Sequence, residues 1–350
     1  MNILNVCDSP DWDIVAYQAL HMAARFTKLG HNAAVLCPKD SRLYTECGKL
    51  KVAVRPLTLG AKLGFFEAGG GWDIVHFYNL AGLPPLFLKK ARAASRIVVT
   101  QMKLGGGKSF EKLAALRPYV DMYIGACNSV QEEFVIAGIE PQRTFLVPPC
   151  LNIGRWESAM LIKPAMLQKR KYTVGTISMD ATLKAQELFL MMAKEVLDVL
   201  PETNFLVVGV KDERIRQLAK GLGINQRVDV LWERNDIPEV MAMMDIYAKT
   251  TSVPGLSMSL IEAQASGVAC VIPRLKGLSD FTVHERNGII VEPGDPLSCA
   301  RGVIRLISNP PVCHSISKMA FDYVNNNMSV PVVANILLRL YEDILQAEKR

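Results

Sequence analysis

The sequence lacks the patterns that several common classes of protein require. No stretch approaches the run of about 18 apolar residues that a membrane-spanning helix needs. The opening residues, MNILNVCDSPDWD, carry neither the basic nor the apolar region of a signal peptide. None of the eight cysteines forms a CxxC pair, and no group of cysteines and histidines has the spacing of a metal site. These absences predict a cytoplasmic protein whose thiols are reduced and buried.

Motifs of two common enzyme classes are also missing. The fingerprint GxGxxG does not follow the first predicted strand, where DSPDWDIV stands instead, and this disfavours a conventional dehydrogenase. No GxSxG elbow of a serine hydrolase is present. GGGKS at 105–109 is similar to the end of a P-loop, but Met102 stands where the first glycine should be. Two interpretations remain for this segment: a glycine-rich anion site with Lys108 beside it, or a flexible loop.

Charge is moderate and is spread along the chain. Of the 350 residues, 50% are apolar and 21% are charged, and the net charge is +6. Because the cations do not form one stripe, the composition predicts no nucleic-acid partner. Two local clusters, at 89–96 and 169–171, leave three alternatives open. They suit a peripheral contact with an anionic membrane surface, a contact with a phosphate-bearing substrate, or a solvated face.

Short β-branched runs alternate with helical patterns, which is typical of a parallel sheet covered on both faces. The pattern predicts an α/β protein with two Rossmann-like, doubly wound domains. Ser129 and Glu132 predict a capping box for the helix that runs through Ala137. The predicted strands are Asn2–Cys7, Asn32–Cys37, Val52–Leu57, Asp73–Tyr78, Arg96–Gln101, Met122–Ala126, Phe145–Val147, Tyr172–Ile177, Phe205–Val210, Val228–Trp232, Ile246–Thr250, Ala269–Pro273 and Gly288–Val291.

The segment NIGRWESAMLIKPAMLQKRK is basic and interrupted by proline, and it divides the two alternating halves. It predicts an N-terminal domain over 1–155, a linker over 156–171 and a C-terminal domain over 172–328. Doubly wound sheets bind ligands at the carboxyl ends of their strands. Two such domains facing each other are therefore expected to hold a ligand in the cleft between them.

The stretch Thr250–Asp295 carries the most information about function. A predicted strand ends, Pro254-Gly255 forms a turn, and a helix begins at Ser257. The unpaired N–H groups at that helix start, and the helix dipole, suit a diphosphate. Glu262, inside the same helix, suits the hydroxyls of a ribose. A solvated glutamate is the alternative, and the mostly apolar neighbours of Glu262 disfavour it.

This stretch resembles the C-terminal domain of retaining glycosyltransferases with the GT-B fold, especially those of family four. The resemblance is carried by SLIEAQASG, CVIPRLKGLSD and NGIIVEPGD, and upstream by NFLVVG and LGINQRVDVLW. In the N-terminal half it is carried by KLGHNAAVLCP, DIVHFYN and ACNSVQEEFVIAGIEPQRTFLVPP. It covers nearly the full length. It implies a nucleotide-diphosphate sugar as donor, and a closing helix within 329–350 that packs on the N-terminal domain.

The resemblance also implies roles for individual residues. Lys184 matches the lysine that neutralises the leaving diphosphate, and Glu262 matches the glutamate that binds the ribose. The remaining expected donor-binding positions border the phosphates and the base, and they are Gly175, Thr176, Gly255, Ser257, Met258 and Trp232.

Four positions depart from the family's pattern. Pro254 replaces the glutamate that contacts the donor sugar, and Thr176 replaces an arginine that contacts phosphate. Gln101 stands where a histidine is common, and Asp8–Asp13 replaces a Gly-Gly loop. A charged phosphate contact contributes about 1.5–3 kcal/mol. The departures therefore bear directly on whether the chain is active.

Two main hypotheses follow. The first is an enzyme that moves a sugar from a nucleotide-diphosphate sugar to an acceptor hydroxyl with retention, with Lys184, Lys108 and His76 as candidate catalytic residues. His76 lies near the end of an apolar strand, so a hydrogen-bonded core position is its alternative. The second hypothesis is a glycosyltransferase-like binding or partner subunit that has lost catalysis, and a nucleotide-sugar epimerase is a third. No DxD motif stands in a suitable loop, which predicts that no metal is required.

Overall fold

The computed structural model describes residues 1–58, 71–79, 85–105, 115–156, 171–178, 183–209, 213–232, 234 and 236–347. Lys108 and most of the predicted linker at 156–171 lie outside these residues. The chain divides into two compact units. The N-terminal unit comprises Met1–Cys150 with Asn327–Arg350, and the C-terminal unit comprises Leu151–Asn326.

The N-terminal unit is built on a parallel sheet, in which seven strands belong to the described residues, in the order β3-β2-β1-β4-β5-β6-β7. These strands are β1 (Asn2–Cys7), β2 (Asn32–Cys37), β3 (Ala53–Pro56), β4 (Ile74–Tyr78), β5 (Arg96–Gln101), β6 (Met122–Gly125) and β7 (Thr144–Leu146). The helices between them are α1 (Ile14–Lys28), α2 (Arg42–Lys49), α3 (Pro85–Arg92) and α4 (Asn128–Ile136).

The C-terminal unit repeats this design with a parallel sheet of six strands, counted over the described residues, in the order β10-β9-β8-β11-β12-β13. Its strands are β8 (Thr173–Ser178), β9 (Asn204–Gly209), β10 (Val228–Trp232), β11 (Ile246–Ala248), β12 (Ala269–Pro273) and β13 (Ile289–Val291). Its helices are α5 (Leu183–Val199), α6 (Glu213–Gly221), α7 (Ile237–Ala242), α8 (Met258–Ala265), α9 (Pro296–Ser308) and α10 (Pro310–Met328).

The last helix, α11 (Val330–Gln346), belongs to the N-terminal unit. Leu337 and Tyr341 are buried in the core of that unit with Phe26 of α1. The rings of Phe26 and Tyr341 meet edge to face, with centroids 5.9 Å apart. Burial of such side chains contributes about 1.5–3 kcal/mol each relative to exposure. The C-terminal end of the chain therefore stabilises the N-terminal sheet.

The predicted strands are all found, with ends that agree to within two residues. The strand predicted over Ile246–Thr250 ends at Ala248, and Thr250, two residues further on, bonds with the first turn of α5. The predicted capping box is wrong: Cys127 is the N-cap of α4, with no capping hydrogen bond from its side chain, and Ser129 lies inside the helix. All eight cysteines lie among the described residues and form no disulfide there, and all except Cys313 are buried as predicted.

Candidate functional site

The carboxyl edge of the C-terminal sheet contains a topological switch point. From β8 the chain passes to β9 and then β10 on one side, and it returns to add β11 on the other side of β8. Tyr247 of β11 lies opposite Gly175 of β8 in this parallel pair. Loops that follow the two strands at a switch point diverge and leave a crevice, which is where doubly wound sheets bind ligands.

A hydrogen bond joins the two sides of this switch point. The hydroxyl of Thr250, just beyond β11, donates to the carbonyl oxygen of Ala185 in the first turn of α5 at 2.7 Å. Thr250 is 9% exposed, so the bond is shielded from water. Lys184 precedes Ala185 and is exposed. The bond therefore places a cation at the edge where the chain leads into α8.

The start of α8 is held by a chain of hydroxyl groups. Ser257 is the N-cap, and its Oγ accepts a bond from the N–H of Leu260 at 3.3 Å. The same oxygen lies 3.1 Å from Ser259 Oγ, which lies 2.8 Å from Tyr247 Oη. Tyr247 is fully buried in β11. The network fixes the first turn of the helix, whose N–H groups and dipole favour an anion. Met258 is the first residue of that turn.

The turn before α8 depends on two glycines. Gly255 has φ +144°, which favours glycine, and its N–H donates to the carbonyl oxygen of Lys276 at 2.9 Å. Gly277 has φ +82°, and a Cβ there would stand 2.7 Å from the carbonyl carbon of Gly255. The two loops are thus in direct backbone contact. Pro254, exposed in front of the helix, brings no carboxylate to this turn.

Glu262 lies on α8, one turn beyond its start, and is half-buried. Burial raises the pKa of its carboxyl to about 7, and the positive charge of Arg155 opposes that rise. Both residues belong to the C-terminal unit. Near neutral pH the group is therefore divided between the ionised and protonated forms, and the ionised form is the better acceptor for sugar hydroxyls.

Gly175 and Thr176 lie inside the sheet. A Cβ on Gly175 would stand 2.3 Å from Met244 Sδ, so a larger residue at this position would require the Met244 side chain to move. Thr176 is 1% exposed and pairs with Val207 of β9. The buried positions of both residues in β8 therefore support a structural role for Gly175 and Thr176.

Trp232 ends β10, two strands from β8, which is about 10 Å across the sheet. Its half-buried ring packs against the core, and the Arg216 guanidinium lies 5.1 Å from the ring centroid. The structure thus groups Lys184, Gly255, Ser257 and Met258 at the switch point, and it places Trp232 further along the same edge.

His76 lies in the core of the N-terminal unit. It is 0% exposed, its Nδ1 bonds with Tyr341 Oη, and its Nε2 bonds with Thr100 Oγ1 at 2.6 Å. Burial lowers the pKa of the imidazole to about 3. The catalytic interpretation of His76 is therefore corrected to its alternative, a hydrogen-bonded core residue, because both ring nitrogens are engaged and the ring is buried.

Three residues whose hydrogen bonds brace the candidate site escaped the sequence analysis, and they are Tyr247, Ser259 and Thr250. Ser257 and Ser259 alternate at a predicted helix start, and this spacing is a local sign of a capping network. Tyr247 and Thr250 carry no such sign, because their partners Ser259 and Ala185 lie 12 and 65 residues away.

Two parallel doubly wound units, one with an anion-favouring helix start at its switch point, define the Rossmann-like class of nucleotide-binding proteins. Residues 161–322 match the family model described as glycosyl transferases group 1. The match covers 162 of the 350 residues, all within the C-terminal unit, so this part of the chain is similar to the group 1 glycosyltransferases. The fold of the chain is that of solved GT-B glycosyltransferases.

Two curated relatives extend the comparison. N-acetyl-alpha-D-glucosaminyl L-malate synthase of Bacillus anthracis is 27% identical over 168 residues, 47% of this chain and 44% of the relative. An Escherichia coli UDP-Gal:alpha-D-GlcNAc-diphosphoundecaprenol alpha-1,3-galactosyltransferase is 22% identical over 221 residues, 59% of this chain and 56% of the relative. The chain thus spans about half the length of these relatives.

Solved structures share the fold over nearly the whole chain. Anabaena HepE in complex with UDP is 18% identical, with a TM-score of 0.83 over 98% of this chain and 100% of HepE. A glycosyltransferase from Rickettsia africae is 15% identical, with a TM-score of 0.85 over 98% of both chains. Among the described helices of this chain, none has the length and apolarity that crossing a membrane requires.

Proposed function

We propose that the protein transfers a sugar from a UDP-sugar to an acceptor hydroxyl with retention at the anomeric carbon. The observation that carries the proposal is the Thr250–Ala185 bond, which brings Lys184 to the edge that leads into the capped start of α8. HepE has been solved with UDP and with UDP-glucose, which favours uridine as the base.

Each residue has a role in this proposal. The diphosphate binds at the first turn of α8, next to Gly255 and Ser257. Lys184 neutralises the negative charge that grows on the diphosphate as the sugar leaves. Glu262 accepts hydrogen bonds from the ribose, and Trp232 borders the uracil. The leaving phosphate takes the proton of the acceptor on the same face of the sugar, as the resemblance implies. The reaction then needs no protein base, which agrees with the burial of His76.

The reaction is proposed to need no metal, because cationic side chains and helix N–H groups supply the positive charge. We expect UDP release from a UDP-sugar to be unchanged by a chelator such as EDTA. A loss of turnover that magnesium restores would contradict this part of the proposal.

The acceptor is proposed to approach from an anionic membrane surface. In α3, Lys89 and Lys90 are exposed, whereas Phe87 and Leu88 are buried, so the charged face of the helix is free of the core. We expect the protein to sediment with vesicles that contain anionic lipid, and Lys89→Glu with Lys90→Glu to abolish this at low salt. Equal sedimentation with neutral vesicles would contradict it.

Thermal unfolding in the presence of nucleotides tests the donor site. A ligand at one hundred times its Kd stabilises the folded state by about 2.7 kcal/mol. We expect UDP to raise the Tm of the wild type and of Glu195→Ala, an exposed glutamate on α5 that serves as control, but not of Glu262→Ala. The absence of a shift with UDP, GDP and ADP in the wild type would overturn the proposal.

The alternative function is binding of the donor without turnover. Pro254 brings no carboxylate to the turn before α8, and Thr176, which is 1% exposed in β8, brings no cation. The two functions are separated by release of UDP from a UDP-sugar panel, with and without acceptor. Binding without release, together with a gain of release in Pro254→Glu, would establish the alternative. Conversion of the sugar without an acceptor would instead indicate an epimerase.

A further inference from the structure

The proposed donor site carries a neutral residue where one of the phosphate-binding cations is expected. Thr176 occupies the β8 position where the family resemblance implies a phosphate-binding arginine, and it is 1% exposed within the sheet. Lys184 stands on the α5 side of the switch point. A diphosphate bears two or more negative charges, and it gains charge as the sugar leaves. A second cation beside the α8 turn would therefore strengthen binding of the leaving group.

The loop that follows β12 brings a lysine to this turn. The carbonyl oxygen of Lys276 accepts a bond from Gly255 N–H at 2.9 Å, two residues before the Ser257 cap. Gly277 packs against the Gly255 backbone so closely that a Cβ would stand 2.7 Å from its carbonyl carbon. Main-chain contacts thus fix the backbone of Lys276 at the turn.

Hydrogen bonds within the loop that follows β12 stabilise its backbone. Gly277 N–H donates to Asp280 Oδ1 at 3.2 Å, and the N–H groups of Leu278 and Ser279 donate to Leu275 O at 3.1 and 3.0 Å. Lys276 lies at the exposed position of this turn, while Gly277 and Leu278 are buried. The four-carbon stem of a lysine reaches several ångströms from its backbone. An ammonium group anchored here can meet a phosphate bound at the start of α8.

We infer that Lys276 supplies the second positive charge to the donor diphosphate, a role that rests on the proposed function. Lys184 and Lys276 would then contact the diphosphate from the α5 side and the β12 side of the α8 turn. Arg274 is also exposed in this loop, but no backbone contact ties it to Gly255, as far as the described residues show. The inference therefore names Lys276 and not Arg274.

Calorimetric titration with UDP and with uridine tests the inference on the full chain. We expect Lys276→Ala to weaken UDP binding about 10- to 100-fold and to leave uridine binding within about twofold, since only UDP carries the phosphates. Lys276→Arg should restore most of the UDP affinity. Arg274→Ala and Lys220→Ala, a second exposed lysine of the C-terminal unit, should leave both affinities unchanged.

Equal weakening of UDP and uridine would overturn the inference, because it would indicate a structural effect on the loop. So would unchanged UDP affinity in Lys276→Ala, or a loss of affinity in Arg274→Ala alone. A wild type that binds neither ligand would instead refute the proposed function and the inference with it. A matched Tm for wild type and Lys276→Ala confirms that the variant is folded.

Discussion

The hydroxyl of Thr250 donates a hydrogen bond to the carbonyl oxygen of Ala185 at 2.7 Å. This contact spans 65 residues of sequence and joins the segment that follows β11 to the helix that bears Lys184. The bond holds the first turn of α5, which carries Lys184, against the segment that follows β11.

Thr250→Val should therefore reduce both stability and UDP affinity. The variant leaves the Ala185 carbonyl without its buried partner, which costs about 1–3 kcal/mol, and it releases the first turn of α5. Urea unfolding and UDP titration measure the two effects. Lys184→Ala is the matched comparison, and we expect it to reduce UDP affinity with unfolding unchanged, since Lys184 is exposed. Equal UDP affinity in Thr250→Val and wild type would show that the bond does not position the site.

Gly277→Ala should disturb the α8 turn beyond the cost of its backbone angle. The added Cβ would meet the Gly255 carbonyl carbon at 2.7 Å, and φ is +82°. Gly223→Ala is the control, because Gly223 has φ +72° but nothing within 4 Å of a Cβ. We expect both variants to lose stability of about 1 kcal/mol from the angle. Only Gly277→Ala should lose UDP affinity, and the same loss in both variants would argue against the contact.

The pH dependence of UDP binding should report on Glu262. Its pKa is about 7 in the folded protein and is raised from 4.5, so the folded state holds a proton that the unfolded chain has released between these values. The free energy of unfolding contributed by this group therefore falls as pH rises from 4.5 to 7. Ionisation over the same range improves the acceptor for the ribose.

Glu262→Gln removes this titration. We expect the variant to gain stability over the wild type at pH 8 but not at pH 4.5, and to lose the increase in uridine affinity between pH 6 and pH 8. Chemical unfolding and uridine titration at these pH values are the measurements, and uridine avoids the titration of the phosphates. Parallel pH profiles for the two proteins would place the folded pKa of Glu262 near its ordinary value.

Tyr341→Phe should destabilise the N-terminal unit without changing donor binding. The variant leaves Nδ1 of the fully buried His76 without its partner, which costs about 1–3 kcal/mol. Amide exchange in β4 and β5 localises the effect, and Tyr44→Phe on the half-exposed α2 is the control. A change in UDP affinity in Tyr341→Phe would revise the interpretation of His76 as a core residue.

The strands and the start of α8 could be predicted, because the sequence signals for them are local. A β-branched run such as Ala269–Pro273 needs no knowledge of its neighbours, and Ser257 before an apolar helix is a capping signal in itself. The prediction for Ser129 was wrong for the same reason: the local motif occurred at the second residue of a helix whose N-cap is Cys127. The catalytic role predicted for His76 was wrong for a different reason: its place near the end of a strand does not reveal its long-range hydrogen bond with Tyr341.

The sequence by itself determined the alternation of strands and helices, the family resemblance and the place of the α8 turn, because periodicity and caps act within a few residues. Only the tertiary structure decided that Thr250 meets Ala185, that Gly255 meets Gly277 and that His76 is buried under α11. Such contacts join residues far apart in the chain, and they depend on the order of strands in the sheet and on the side from which each helix returns. No local pattern of side chains specifies that order.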